Sequence, residues 1–138
     1  MPTLPYLHFQ GNCAEALRDY ARIFGSAPPQ MMLYADAPGA PAAHKGQPHV
    51  IHGQVAIFDG TLMASDFPPG MEGDPQKAVS VMQSAPDMES GERIFNALCE
   101  GGAVIQPWGP SFFAKGFGMV KDRHGTHWIL TVQDGPGA

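Results

Sequence analysis

The chain reads twice through one order of elements (strand, helix, strand, strand, strand), and this internal repeat limits what 138 residues can fold into. Residues 4–10 (LPYLHFQ) alternate large apolar with polar or amphipathic side chains, the pattern of a strand, and Gly11 ends it. Asn12, with Glu15 three residues on, predicts a capped helix start. Ala14, Leu17, Tyr20, Ala21 and Phe24 then recur at three- and four-residue spacing as one apolar stripe, and Gly25 supplies a left-handed stop. Strands are predicted over 30–35, 50–58 and 61–66, the last two joined by Asp59-Gly60 as a hairpin turn. After residue 77 the pattern starts again. A strand over 78–84 leads to Asp87 as a helix cap, and Met88, Gly91, Ile94, Phe95 and Leu98 share one helix face ended by Gly101-Gly102. Strands over 103–108, 116–121 and 126–132 follow, the last two joined by the turn Asp122-Arg123-His124-Gly125. Even the helices echo each other, in ARIFG and ERIFN.

A four-stranded sheet with one helix has only one face covered, so neither copy is expected to be stable alone. The expected fold is α+β: two βαβββ modules, about residues 1–68 and about 76–134 of a single domain spanning 1–138, forming a curved mixed sheet with the helices on its convex side. The concave, helix-free side is where a ligand is expected to sit.

Composition excludes several classes. Hydrophobic residues make up 43% and charged residues 15%, enough apolar surface to offset the entropy of ordering. Cys13 and Cys99 lie outside any CxxC pattern, which argues for free thiols over a disulfide scaffold or a zinc knuckle. No basic, apolar leader and no run near the ~18 apolar residues of a membrane span is present, so no membrane association and a cytoplasmic address are expected. With a net charge of −5 and eight scattered Lys and Arg, no basic stripe is available for nucleic acid. Two Pro/Gly-rich stretches, 36–48 and 67–77, read as loops of the length used for lids or interface arms.

The run Phe9-x-Gly11-Asn12-Cys13-Ala14-Glu15-Ala16-Leu17 with Tyr20 and Phe24-Gly25 comes first, then Leu62-Met63-Ala64-Ser65-Asp66, then Phe117-Gly118-Met119-Val120-x-Asp122-Arg123-x-Gly125-x-x-Trp128. Together these resemble the PhnB-like group of the vicinal oxygen chelate (glyoxalase/bleomycin-resistance/dioxygenase) superfamily, also labelled a 3-demethylubiquinone methyltransferase domain. The resemblance covers nearly the whole chain. It implies paired βαβββ modules, a homodimer and, in metal-using members, a divalent ion held by His and Glu. Methyl transfer finds no support in the residues, because neither helix start carries the glycine-rich turn of a nucleotide-type cofactor site.

In metal-using relatives a Glu stands two residues after the aromatic that matches Trp128, and here that position is Leu130, which has no donor atom. Aligned by its helix, the first strand places Pro5 where a His is expected, and the fifth offers Val79 or Ser80. No cofactor is therefore expected, and a divalent metal is disfavoured by Leu130. His8 and His52, both on strands, remain the candidates for a two-His site or an acid/base pair, weighed against ordinary hydrogen-bonded rim histidines. His44, His49 and His124 read as loop residues, and His127 begins a strand. Cys13 at a helix start is either a thiolate favoured by the helix dipole or a small buried hydrophobe. Ser65-Asp66 reads as a capping or turn pair. Trp108, Phe112 and Phe113 are expected to line an aromatic pocket or to pack a dimer. The leading expectation is a protein that binds a small molecule through His52, Trp108, Phe112 and Phe113 without the superfamily metal. The alternative is an enzyme acting on a small oxygenated substrate with His52 and His8, and a pure assembly role is a third possibility.

Overall fold

The computed structural model describes residues 1–133, so the end of the second expected module, at 134, lies outside the described residues. The chain divides into two compact units, residues 1–76 and 77–138. In the first, β1 (Tyr6–Phe9), α1 (Cys13–Phe24), β2 (Gln30–Leu33), β3 (Val50–Ile57) and β4 (Gly60–Asp66) follow the predicted order. The sheet runs β1-β4-β3-β2, with β1 parallel to β4 and the remaining pairs antiparallel. The second unit repeats this as β5 (Ser80–Ser84), α2 (Met88–Cys99), β6 (Ala103–Gly109), β7 (Gly116–Lys121) and β8 (His127–Val132), with sheet order β5-β8-β7-β6 and β5 parallel to β8. No described helix is long and apolar enough to cross a membrane.

Each helix covers one face of its own sheet. Leu17, Tyr20, Ala21 and Phe24 are buried as the stripe predicts, whereas Ala14 is only half-buried and Cys13, Ala16 and Ile23 complete the buried face. α1 meets the sheet closely at Gly53, where a methyl group would stand 2.6 Å from Leu17 Cδ1. α2 does the same at Gly118, which lies under the Phe95 ring. Strand alternation then sorts the side chains. Leu7, Phe9, Val55, Ile57, Leu62 and Ala64 are buried in the first unit, and Val120, Trp128, Leu130 and Val132 in the second. The intervening residues face the opposite, helix-free side.

Several expected details are corrected. The strand predicted over 30–35 stops at Leu33, and Tyr34–Asp36 form a short 3₁₀ turn. The β3–β4 hairpin turns on Phe58-Asp59, because Gly60 already pairs with Ile57. Phe58 adopts φ 51° there and sets its ring edge-on to Phe24 at 6.0 Å. Asn12 makes no cap bond: at φ −105°, ψ 14° its backbone is not extended, so its side chain does not reach forward over the first turn. Asp66 caps α1 from the sheet instead. Asp87 does cap α2, accepting from Ser90 N at 2.7 Å, and this bond holds its carboxyl below the usual range.

Candidate functional site

The helix-free face of the first unit gathers the chemistry. Tyr6 and His8 alternate with buried Leu7 and Phe9 on β1, so both point away from α1. On β3, His52 and Gln54 flank buried Gly53 and share that side. Tyr6 reaches across β4 and its hydroxyl lies 3.0 Å from His52 Nδ1. His52 Nε2 in turn lies 3.4 Å from Gln54 Oε1. With Nε2–H donating to the amide oxygen, Nδ1 is left to accept the Tyr6 O–H, an arrangement for neutral imidazole. His8 Nδ1 is 3.5 Å from Ser65 Oγ, at the limit of a hydrogen bond.

The rings form a continuous run. Phe67 stacks on His8 with centroids 5.4 Å apart, His8 meets Tyr6 at 5.3 Å, and Tyr6 meets His52 at 5.6 Å, with interplanar angles of 26–39°. At the His52 end the run opens onto a hollow of about 220 Å³ lined by Gln30, Met31, Met32, His52 and Gln54. Among the strands of this unit the only charged side chain is that of Asp66, and it points elsewhere. The face is therefore uncharged, aromatic, thioether-bearing and amide-flanked.

Of the expected site residues, His8 and His52 are brought to one face, but with the Tyr6 ring against both of them. Tyr6 and Phe67 were not anticipated. The signal for Tyr6 was available, since it stands two residues before His8 on a strand and must share its face. Phe67 begins a Pro/Gly-rich loop, where no periodicity assigns a side.

The Trp108 ring packs 5.6 Å from Phe95 and against Gly91 and Gly116, between α2 and its sheet. Register shifts between Val104 and Gln106 and between Gln106 and Gly109 interrupt simple alternation along β6. Phe112 is 100% exposed, at the tip of a turn closed by Ser111 N–H donating to Ala114 O at 3.0 Å. Phe113 meets Phe117, which occupies the helix-free face of the second unit. That face also carries Met82, Met119, Ile129 and Ser80 beside His127, with Ser84 Oγ and Thr131 Oγ1 2.9 Å apart.

Leu130 shares the helix side with Trp128, two residues away, and is fully buried. The residue of β8 that faces the helix-free side there is Ile129, paired with Met82 and Met119. Ile129 offers no donor atom either. The corresponding position on β1 is occupied by Tyr6 and His8, and on β5 by Ser80, beside His127. Among the described residues no group of three or more His, Cys, Asp or Glu is placed to hold a metal ion. The donors present do not fit a divalent ion held by His and Glu.

The remaining candidates have structural roles. Asp66 is buried and accepts backbone N–H bonds from Gly11 (2.8 Å), Cys13 (3.0 Å) and Val50 (2.8 Å), pinning the start of α1 to the start of β3. Tyr34 Oη donates to its carbonyl, and burial together with the Asp66 charge raises the Tyr34 phenol pKa. Cys13 is 0% exposed, and burial followed by the nearby Asp66 charge pushes its thiol up to about 12, so the thiolate reading is lost. His124 and Arg123 lie at a turn over the end of α2, where Arg123 Nε donates to His124 Nε2 at 3.3 Å and basic groups complement the helix C-terminus.

Two βαβββ units, each with one face under a helix and one face free, define the α+β class of the glyoxalase/bleomycin-resistance proteins. Residues 2–131 match the family described as 3-demethylubiquinone-9 3-methyltransferase. Protein YjdN of Escherichia coli (strain K12) is 30% identical over 141 residues, covering 96% of this chain and 95% of that protein. Protein PA1353 from Pseudomonas aeruginosa has a crystal structure that is 35% identical with a TM-score of 0.86, over 96% of this chain and 98% of that one. The PhnB protein from Bacillus cereus, at 24% identity and a TM-score of 0.73 over 96% and 99%, shares the fold. The chain belongs to this 3-demethylubiquinone-9 3-methyltransferase family, and it shares its fold with the glyoxylase/bleomycin resistance protein/dioxygenase domain from Frankia sp. EAN1pec, 11% identical with a TM-score of 0.64 over 96% of this chain and 97% of that one.

Proposed function

We propose that this chain binds a small organic molecule without a metal, on the helix-free face of its first unit, through Tyr6, His8, His52 and Gln54. The observation that carries this reading is the ring run Phe67–His8–Tyr6–His52 ending at a hollow flanked by two amides, Gln30 and Gln54. Methyl transfer fits less well. Each helix start already holds one of the chain's own carboxylates, Asp66 against Cys13 N at α1 and Asp87 against Ser90 N at α2, which disfavours a second anion there. Phe113, whose ring meets Phe117, and exposed Phe112 are proposed separately as an apolar contact surface of the second unit by itself. A homodimer and a cytoplasmic address accompany the binding reading, the latter supported by two free thiols.

A second reading is supported by the Tyr6 Oη–His52 Nδ1 contact: a proton-transferring enzyme with His52 as base and His8 nearby. Calorimetric screening of small molecules against the parent and His52→Ala, with product analysis of every hit, separates the two. Binding weakened by His52→Ala with no product formed supports the binder. Turnover that His52→Ala abolishes while affinity holds supports the enzyme. Hits that bind His52→Ala and Tyr6→Ala as tightly as the parent overturn both.

A further inference from the structure

We infer that the second unit carries a binding site of its own, on its helix-free face, for a small amphipathic carboxylate. The anionic head lies on one row of side chains and the apolar chain over the next two. This site is independent of the one proposed on the first unit and stands or falls without it. The strand register builds the rows. Ser80, His127 and Lys121 pair across β5, β8 and β7 at one end of the sheet. Met82, Ile129 and Met119 form the next row, two residues along, and Ser84, Thr131 and Phe117 form the third. At about 3.3 Å per residue, the first row stands about 13 Å from the third, the reach of a medium-length acyl chain.

The first row sets the sign of the head. Lys121 is the only Lys, Arg, Asp or Glu on β5 to β8, and it is exposed. Its successor Asp122 turns to the opposite side, where Thr126 N and Trp128 Nε1 hold its carboxylate. Glu89 and Glu92 stand on α2 and so belong to the covered side. His127 Nδ1 is buried without a hydrogen-bond partner among the described residues, so none of them holds the ring proton on that nitrogen. Nε2 can then carry the proton and donate it to a ligand oxygen, beside the Lys121 ammonium and the Ser80 hydroxyl. A carboxylate accepts from all three donors, whereas a cation finds no counter-ion on these strands. The other rows set the body of the ligand. Met82 is 59% exposed, and Met119 and Ile129 are half-buried, so a chain laid along the strands covers thioether and aliphatic surface. At the third row Phe117 meets it, with the Phe113 ring 5.1 Å away, and the Ser84 and Thr131 hydroxyls already bond each other at 2.9 Å.

The test is an NMR titration of the intact, isotope-labelled chain with four probes: octanoate, butanoate, octan-1-ol and octylammonium. Octanoate is expected to bind saturably in about the millimolar range, since Lys121 is solvent-screened, and to shift the Met82, Met119 and Ile129 methyl signals together with the Lys121 amide. It should bind about tenfold more tightly than butanoate, whose chain ends short of the third row. Over octan-1-ol and octylammonium its advantage should be about fivefold or more. Lys121→Gln should weaken octanoate about fivefold and leave octan-1-ol within about twofold, while Met82→Ser weakens both. Unchanged thermal melts certify that the variants are folded, and the ranking of the four probes needs no variant. Octan-1-ol or octylammonium binding these rows as tightly as octanoate would overturn the carboxylate head. Butanoate matching octanoate would overturn the apolar rows. Octanoate shifts centred on Tyr6 and His52, or no shifts at all, would overturn the site.

Discussion

The two units share every step of their topology and differ in what they do with the uncovered sheet face. In the first, that face presents Tyr6, His8, His52 and Gln54, a set of rings and hydrogen-bonding groups. In the second it presents Phe117, Met119, Met82 and Ile129, with Ser80 beside His127 and the Ser84 hydroxyl against that of Thr131. The first face is built on a run of rings with an amide beside it, and the second sets methionine and aliphatic side chains between one histidine and a pair of hydroxyls. The buried carboxylates differ in the same way. Asp66 ties three separate parts of the first unit together, whereas Asp122 accepts from His124 N, Thr126 N and Trp128 Nε1, all within six residues of itself. The same fold is thus locked by a long-range hub in one copy and by a local turn in the other.

The largest expected effect breaks that comparison at its hubs. Asp66→Ala strands three amides in the interior and should cost about 3 kcal/mol or more in urea denaturation. Its amide exchange should quicken at both α1 and β3, while Asp122→Ala quickens exchange mainly around the β7–β8 turn. Equal, local effects from both substitutions would contradict the hub assignment. Next comes the helix–sheet contact of the second unit. A methyl group at Gly118 would stand 2.5 Å from the Phe95 ring, so Gly118→Ala should cost about 1–3 kcal/mol. Gly109→Ala, with nothing within 4 Å, should stay within about 0.5 kcal/mol, and a reversal of this order would mean the packing is misread.

A smaller, pH-dependent effect concerns the thiols. Cys13 titrates near 12 when folded, against an ordinary value of 9.0, so the unfolded chain loses this proton first as pH rises. Its contribution to stability is intact below about pH 9 and disappears progressively towards pH 12. At pH 8, iodoacetamide should label half-buried Cys99 well before Cys13, and early labelling of Cys13 in folded protein would refute its burial. The smallest effect is expected from Tyr6→Phe. Tyr6 is 41% exposed, so losing its hydroxyl should change stability by less than about 1 kcal/mol while the imidazole of His52 loses its partner.

How much of this was legible in the chain follows from the range of each signal. Helix stripes and strand alternation are local, and both helices and all eight strands were placed within a few residues. The α1 cap was not legible, because its carboxylate comes from Asp66, more than fifty residues away, and not from adjacent Asn12. Side-chain direction was legible in part. Leu130 stands two residues from Trp128, so a core Trp128 already required a core Leu130. Trp108 was out of reach, since the register shifts in β6 cancel the parity argument. The histidines were found as candidates, but the ring joining them depends on Tyr6 reaching over β4, which only the sheet order reveals.

The most direct test of the central claim, metal-free binding on the first unit's uncovered face, is a heteronuclear NMR titration of the intact, isotope-labelled chain in excess EDTA with the tightest hit from screening. Saturable shifts centred on Tyr6, His8, Met32, His52 and Gln54, unchanged by adding divalent ions, are predicted. Shifts centred on Met82, Phe117 and Ile129, or binding that appears only when a divalent ion is restored, would contradict it.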